Sequence, residues 1–245
     1  MKTQESDKQG RLNVEVCLTP ALLPLYDIEN SIVVVIDIFR ATSSICYGIE
    51  NGADAIIPVS HVEECAAYQV SGCLLAAERD GKVVEGFDFG NSPFSYVAEK
   101  VQGKTIVLTT TNGTHAIQLS RSAKQILIGS FFNLTALADY LASTSQNVLL
   151  VCAGWKNKFN LEDTIFAGAM VNKLRPAAYT PDDSSIAAED LYLLAKDDLR
   201  GYLKKTSHSE RLMKLGIEAD ISFCLNTDIT TAIPVLDGDK LIKLK

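Results

Sequence analysis

The chain has no hydrophobic run long enough to cross a membrane. Its longest, residues 32–39, carries Asp37 inside it, and the opening MKTQESDKQGR lacks the apolar stretch of a secretion signal. A cytoplasmic protein is the expectation. CxxC pairs and zinc-type histidine spacing are also missing. The six cysteines, at 17, 46, 65, 73, 152 and 224, are scattered and read as reduced, mostly buried thiols. Positive charge is scarce: 23 Lys and Arg face 30 Asp and Glu, giving a formal net charge of -7. No basic stripe with interleaved aromatics marks a nucleic-acid surface. An anionic ligand would need a local cationic cluster or a bound cation, because the global field repels it.

Absent motifs narrow the chemistry further. There is no GxxxxGK[ST], which disfavours a P-loop nucleotide site. Asp37 is followed by IFRA, without the second Asp two residues on that a haloacid-type phosphatase requires. Cys152 is followed six positions later by Lys158 rather than Arg, so the cysteine-phosphatase loop is broken. No Gly-x-Ser-x-Gly nucleophile elbow occurs.

What is present is a 245-residue chain with 47% hydrophobic content, enough to bury one sizeable core. Residues 1–11 read as a flexible polar tail, and 12–245 as one α/β domain or two closely packed lobes. Strands are expected at 12–18, where apolar residues alternate, and at 32–38, which is continuously apolar. Others are expected at 55–59, 74–77, 105–108, 125–128 and 148–151. Helices are expected from a cap near Ser43 to Gly52, after capping boxes at 60–63 and 207–210, and after Asn133, with apolar residues at 134, 137, 138 and 141. Two more span 163–175, ended by Pro176, and 184–199. Asp237-Gly238 suggests a hairpin over 235–244. Alternating strands and helices predict a layered α/β/α fold with a largely parallel or mixed sheet.

Four strands end in polar crests, and ligands of such sheets bind outside the carboxyl ends of strands. The first crest holds Asp37 and Arg40. Burying a carboxylate there is costly without a cation, an Arg or backbone donors. The residue reads either as an active-site acid or as a cap or structural partner of Arg40, and the first reading is favoured. The second crest delivers Glu78 and Arg79, before a long loop containing Asn91 and Ser92. In the third, TIVLTTTNGT (residues 105–114) ends a buried strand in hydroxyls, an amide and a glycine. Thr110, Asn112, Gly113 and Thr114 there suit an anion such as phosphate, or equally a turn plus cap. The fourth crest carries Lys156, Lys158, Glu162 and Asp163, whose acids also serve as ordinary first-turn residues of a helix. Asp37 with Glu78, Glu162 or Asp163 could hold Mg²⁺. His61, His115 and His208 read as ordinary, and only His115 adjoins a crest.

DIFRATSS (37–44), GFDFGNSP (86–93), LTTTNGT (108–114) and CAG followed by LED (152–154, 161–163) together resemble the 2-phosphosulfolactate phosphatase family. The resemblance implies a Mg²⁺-dependent acid phosphatase converting 2-phosphosulfolactate to 3-sulfolactate and phosphate, a step toward coenzyme M. It also implies an α/β fold distinct from the haloacid-type and P-loop classes, and a homodimer. Two positions depart from the family pattern: Asp80, where glycine is expected, and His115, where a basic residue is expected. On this reading Asp37, Arg40 and Glu78 are catalytic, Asp37, Glu78, Glu162 and Asp163 are the metal candidates, and Arg79, Asn91, Ser92, Thr110, Asn112, Gly113 and Thr114 bind substrate. Either a water oriented by Glu78 or Asp37 itself attacks phosphorus. A non-catalytic phosphometabolite sensor and a phosphatase for another small acidic phosphomonoester are the competing readings.

Overall fold

The computed structural model describes residues 12–79, 82–180 and 182–245. The expected tail (1–11) and Asp80 lie outside the described residues. Among the described residues the strands are β1 (Leu12–Cys17), β2 (Ser31–Ile36), β3 (Ala55–Pro58), β4 (Leu74–Arg79), β5 (Lys82–Val83), β6 (Thr105–Thr109), β7 (Gln125–Gly129), β8 (Asn147–Cys152), β9 (Ala178–Tyr179), β10 (Pro234–Asp237) and β11 (Lys240–Lys243). The helices are α1 (Ala41–Glu50), α2 (Val62–Ala67), α3 (Ala98–Val101), α4 (Gly113–Leu119), α5 (Leu134–Ser143), α6 (Leu161–Leu174), α7 (Asp183–Ala195), α8 (Leu199–Leu203), α9 (Ser207–Lys214) and α10 (Glu218–Cys224).

All strands join one mixed sheet in the order β5-β4-β6-β3-β11-β10-β7-β2-β8-β1-β9. Two parallel blocks, β4-β6-β3 and β7-β2-β8-β1-β9, flank the β10–β11 hairpin, which pairs antiparallel on both sides. Three successive reversals make the blocks run in opposite directions. In a flat sheet their carboxyl ends would lie on opposite edges.

The cores show why the ends nevertheless meet. Ile32, Val34 and Ile36 of β2 face a core shared with α5, α6 and α7, whereas Val33 and Val35 face a second core. That second core also contains Ile45 and Ile49 of α1, Ile117 of α4, and Ile56, Ile106 and Leu108 from the other block. Both blocks therefore close around α1 and α4. A third core, with Ile57, Val107 and Cys65, lies under α2. Every residue of β2 is buried, as a strand covered on both faces demands. Each such Val or Ile contributes about 1.5–3 kcal/mol.

Several local expectations shift. Ser43 is not the helix cap: α1 begins at Ala41, two residues earlier. Thr42 latches strand to helix instead, its N–H reaching Asp37 O at 3.0 Å while its hydroxyl accepts from Asp37 N at 3.0 Å. Neither capping box forms as drawn. Glu64, not Glu63, accepts from Ser60 N, and Thr206, not Ser207, caps α9 by accepting from Ser209 N.

Candidate active site

Asp37 leaves β2 at a crest where the chain turns directly into α1, so its carboxyl is only 7% exposed. Burial pushes its pKa up to about 6; His208 opposes the shift, Glu162 adds to it, and the backbone N–H groups of Ala41 and Gly113 hold the carboxylate. Gly113 is required by close approach. A Cβ there would lie 2.6 Å from Ala41 Cβ and 2.9 Å from Asp37 Oδ2.

The expected phosphate crest folds partly in on itself. Thr114 N donates to Thr110 Oγ1 at 3.1 Å, Thr110 N to Thr114 Oγ1 at 3.1 Å, and the Thr114 hydroxyl to Thr110 O at 2.9 Å. Gly113 and Thr114 are thus engaged within the protein. Thr110, Thr111 and Asn112 line the cleft. Asn112 Oδ1 accepts from Lys156 N at 3.1 Å, which leaves its Nδ2 group for a ligand.

Arg40 does not pair with Asp37. Its guanidinium, buried to 3% exposure, bridges Glu78 and Asp220 at 2.5 Å each. Ser92 Oγ donates to the other Asp220 oxygen at 3.0 Å. One cation between two carboxylates leaves this group net negative. Asn91 lines the cleft with a buried Oδ1 that has no partner among the described residues, while Arg79 is exposed and folds back onto Glu78 O at 2.9 Å.

Glu162 and Asp163 open α6 with contrasting surroundings. Asp163 Oδ1 accepts from Ile38 N at 2.9 Å, and Oδ2 accepts from Gly154 N at 3.1 Å and Asn160 Nδ2 at 2.8 Å. It pins the ends of β2 and β8 to the helix. Burial, with Asp37 and Glu162 adding, pushes its carboxyl well upward. Glu162 is 1% exposed; Oε1 meets His208 Nδ1 at 2.5 Å, and Oε2 has no partner among the described residues. Glu162 and Asp37 are both buried near His208, a grouping of acids that invites a cation.

Asp37, Phe39, Arg40, Glu78, Asn91, Thr110, Asn112, Trp155, His208 and Arg211 converge on a cleft of about 190 Å³. Among the described residues, no three His, Cys, Asp or Glu side chains gather as a ready metal cage. Mg²⁺ takes only one or two carboxylates alongside water and phosphate oxygens; Asp37 lines the cleft, and Glu162, with its bare Oε2, lines the adjoining cavity.

Asp220, Trp155, His208 and Arg211 were missed from sequence. His208, expected to be ordinary and solvated, is a cleft residue with its side chain 12% exposed. A signal did exist: His208, Arg211, Leu212 and Leu215 fall at i, i+3, i+4 and i+7, and all four line the cleft. His115 is exposed on α4 and lies outside it.

An α/β scaffold whose strand ends surround buried acids, a buried guanidinium and a hydroxyl-amide crest suits a phosphoric monoester hydrolase. Comparison with known proteins gives the particular kind. The model of the 2-phosphosulpholactate phosphatase family matches residues 17–239. A Thermotoga petrophila protein named "Probable 2-phosphosulfolactate phosphatase" is 42% identical over 215 residues, covering 88% of this chain and 93% of its own. One of the same name from Thermotoga maritima gives the same figures. A Gloeobacter violaceus protein, also so named, is 39% identical over 228 residues, 91% of this chain and 94% of its own. The chain belongs to the 2-phosphosulfolactate phosphatase family.

Proposed function

We propose that this protein hydrolyses 2-phosphosulfolactate to 3-sulfolactate and phosphate with the help of Mg²⁺. The observation that carries the reading is the buried carboxylate of Asp37 beside the Thr110–Asn112 crest, with the half-partnered Glu162 in the adjoining cavity. Residues 12–245 act as one catalytic unit, because the cleft draws on both blocks of the sheet.

Of the four expected metal donors, Asp37 and Glu162 are retained. Glu78 is matched to Arg40, and both Asp163 oxygens receive N–H donors. When bound, Mg²⁺ supplies positive charge to the phosphoryl oxygens. The Thr110 hydroxyl and the Asn112 amide donate to those oxygens, and Arg40, locked by Glu78 and Asp220, fixes Glu78 at the cleft wall. Phosphoryl transfer depends mainly on such positioning and charge. Glu78, whose Oε2 holds Arg40 and whose Oε1 has no partner among the described residues, orients the attacking water. The stereochemical course at a phosphoryl group made chiral with oxygen isotopes separates this route from attack by Asp37: inversion supports one direct attack by water, and retention supports two displacements through a covalent aspartyl-phosphate.

The six cysteines are free, which suits a reducing cytoplasm. Among the described residues no helix is long and apolar enough to cross a membrane. The homodimer belongs to the same reading, and light scattering distinguishes it from the 26.6 kDa monomer.

Phosphate release from a panel of phosphomonoesters, with and without chelator, tests the whole. Rapid Mg²⁺-dependent turnover of 2-phosphosulfolactate is expected. Binding without turnover of any phosphomonoester would favour a sensor.

A further inference from the structure

The charges lining the cleft do not balance in the way a multiply anionic substrate requires. Arg40 is held by two carboxylates, so its charge is already met. Arg211 differs. Its guanidinium carbon lies 3.5 Å over the Trp155 ring centroid, and among the described residues no carboxylate pairs with it and no hydrogen-bond partner is present. A guanidinium fixed on an aromatic face keeps its N–H edge free for a planar or tetrahedral oxyanion.

Arg211 also stands at a boundary. With Trp155 and His208 it separates the cleft from an adjoining cavity of about 470 Å³, which Lys158 and Ser207 also line. The acid facing that cavity, Glu162, already meets His208. The loop carrying Trp155 and Lys158 is a rigid miniature hairpin. Trp155 N reaches Lys158 O at 2.9 Å and Lys158 N reaches Trp155 O at 3.0 Å, around Lys156 and Asn157 with φ of 51° and 59°. Gly154 enters the turn at φ 63°, where a Cβ would strike Lys158 O. Lys156 N fastens the loop to Asn112, so the wall and the phosphate crest hold a fixed relation.

We propose that Arg211, clamped on Trp155 and flanked by Lys158, receives the sulfonate of the substrate in the adjoining cavity and sets selectivity for sulfonated phosphoesters. This rests on the hydrolase reading above and adds to it the residue that recognises the non-reacting end.

The test is calorimetric titration of the full chain with 3-sulfolactate and, separately, with inorganic phosphate. Arg211→Gln should weaken 3-sulfolactate about 10- to 100-fold, as loss of a charged partner does, and weaken phosphate much less. Arg211→Lys, retaining charge without the planar fork, should recover only part. In turnover, the kcat/KM preference for 2-phosphosulfolactate over 2-phospholactate, which lacks only the sulfonate, should shrink by a similar factor, through KM. Unchanged 3-sulfolactate affinity in Arg211→Gln, or parallel losses on both phosphoesters, would overturn the assignment. Arg211-dependent 3-sulfolactate binding in a protein that hydrolyses neither ester would support it and overturn the hydrolase reading alone.

Discussion

Glu162 and Asp163 are neighbours in sequence, both buried in the first turn of α6, yet their surroundings differ. Asp163 receives three N–H donors from the end of β2, the loop after β8 and Asn160. Glu162 has one partner, His208, and one bare oxygen. A fully satisfied buried acid builds the site, whereas a half-satisfied one is poised to take a ligand.

Replacement should separate these roles. Asp163→Ala leaves Ile38 N and Gly154 N without acceptors in the interior, and should lower unfolding free energy by about 3–5 kcal/mol in urea. A loss below about 1 kcal/mol would make Asp163 dispensable to the frame. Glu162→Gln should reverse the pattern: near-normal stability with turnover down about 100-fold at fixed Mg²⁺, partly restored by raising Mg²⁺. If Glu162→Gln instead unfolds the chain at near-normal specific activity, the two acids share a structural role.

Asp220→Asn tests a milder case. It weakens the clamp on Arg40 while keeping a hydrogen-bonding group, and should reduce kcat about tenfold with little change in KM. Equal kcat would show that Glu78 alone orients the guanidinium.

Asp37 offers the smallest but most diagnostic effect, on stability. Its folded pKa of about 6 lies above the ordinary 3.8, so the folded state binds the proton more tightly. The resulting stabilisation is fully present below about 3.8 and is lost as pH rises through about 6. Without metal, Asp37→Asn should therefore be more stable than the parent at about pH 7.5, by a margin that narrows near about pH 5. A margin independent of pH would mean that Asp37 is not carrying a buried charge.

Sequence periodicity located the strands well because the signal is local. SIVVVI is buried on both faces and could hardly be anything else. The placement of β10 and β11 was not legible. Asp237-Gly238 announces a hairpin, but nothing local says that it inserts between β3 and β7 and reverses one block against the other. The first three crests named from sequence line one cleft, whereas Lys158 and Glu162 of the fourth line the adjoining cavity. Asp220 stayed hidden because SFC and its flanks look like any short helix. Its meaning comes from Arg40, 180 residues away.

Mg²⁺ titration calorimetry on the metal-free parent and on Asp37→Asn tests the central claim most directly. Saturable binding by the parent, at least about tenfold weaker in the variant, is the predicted result. Equal Mg²⁺ affinity in the two proteins would contradict it.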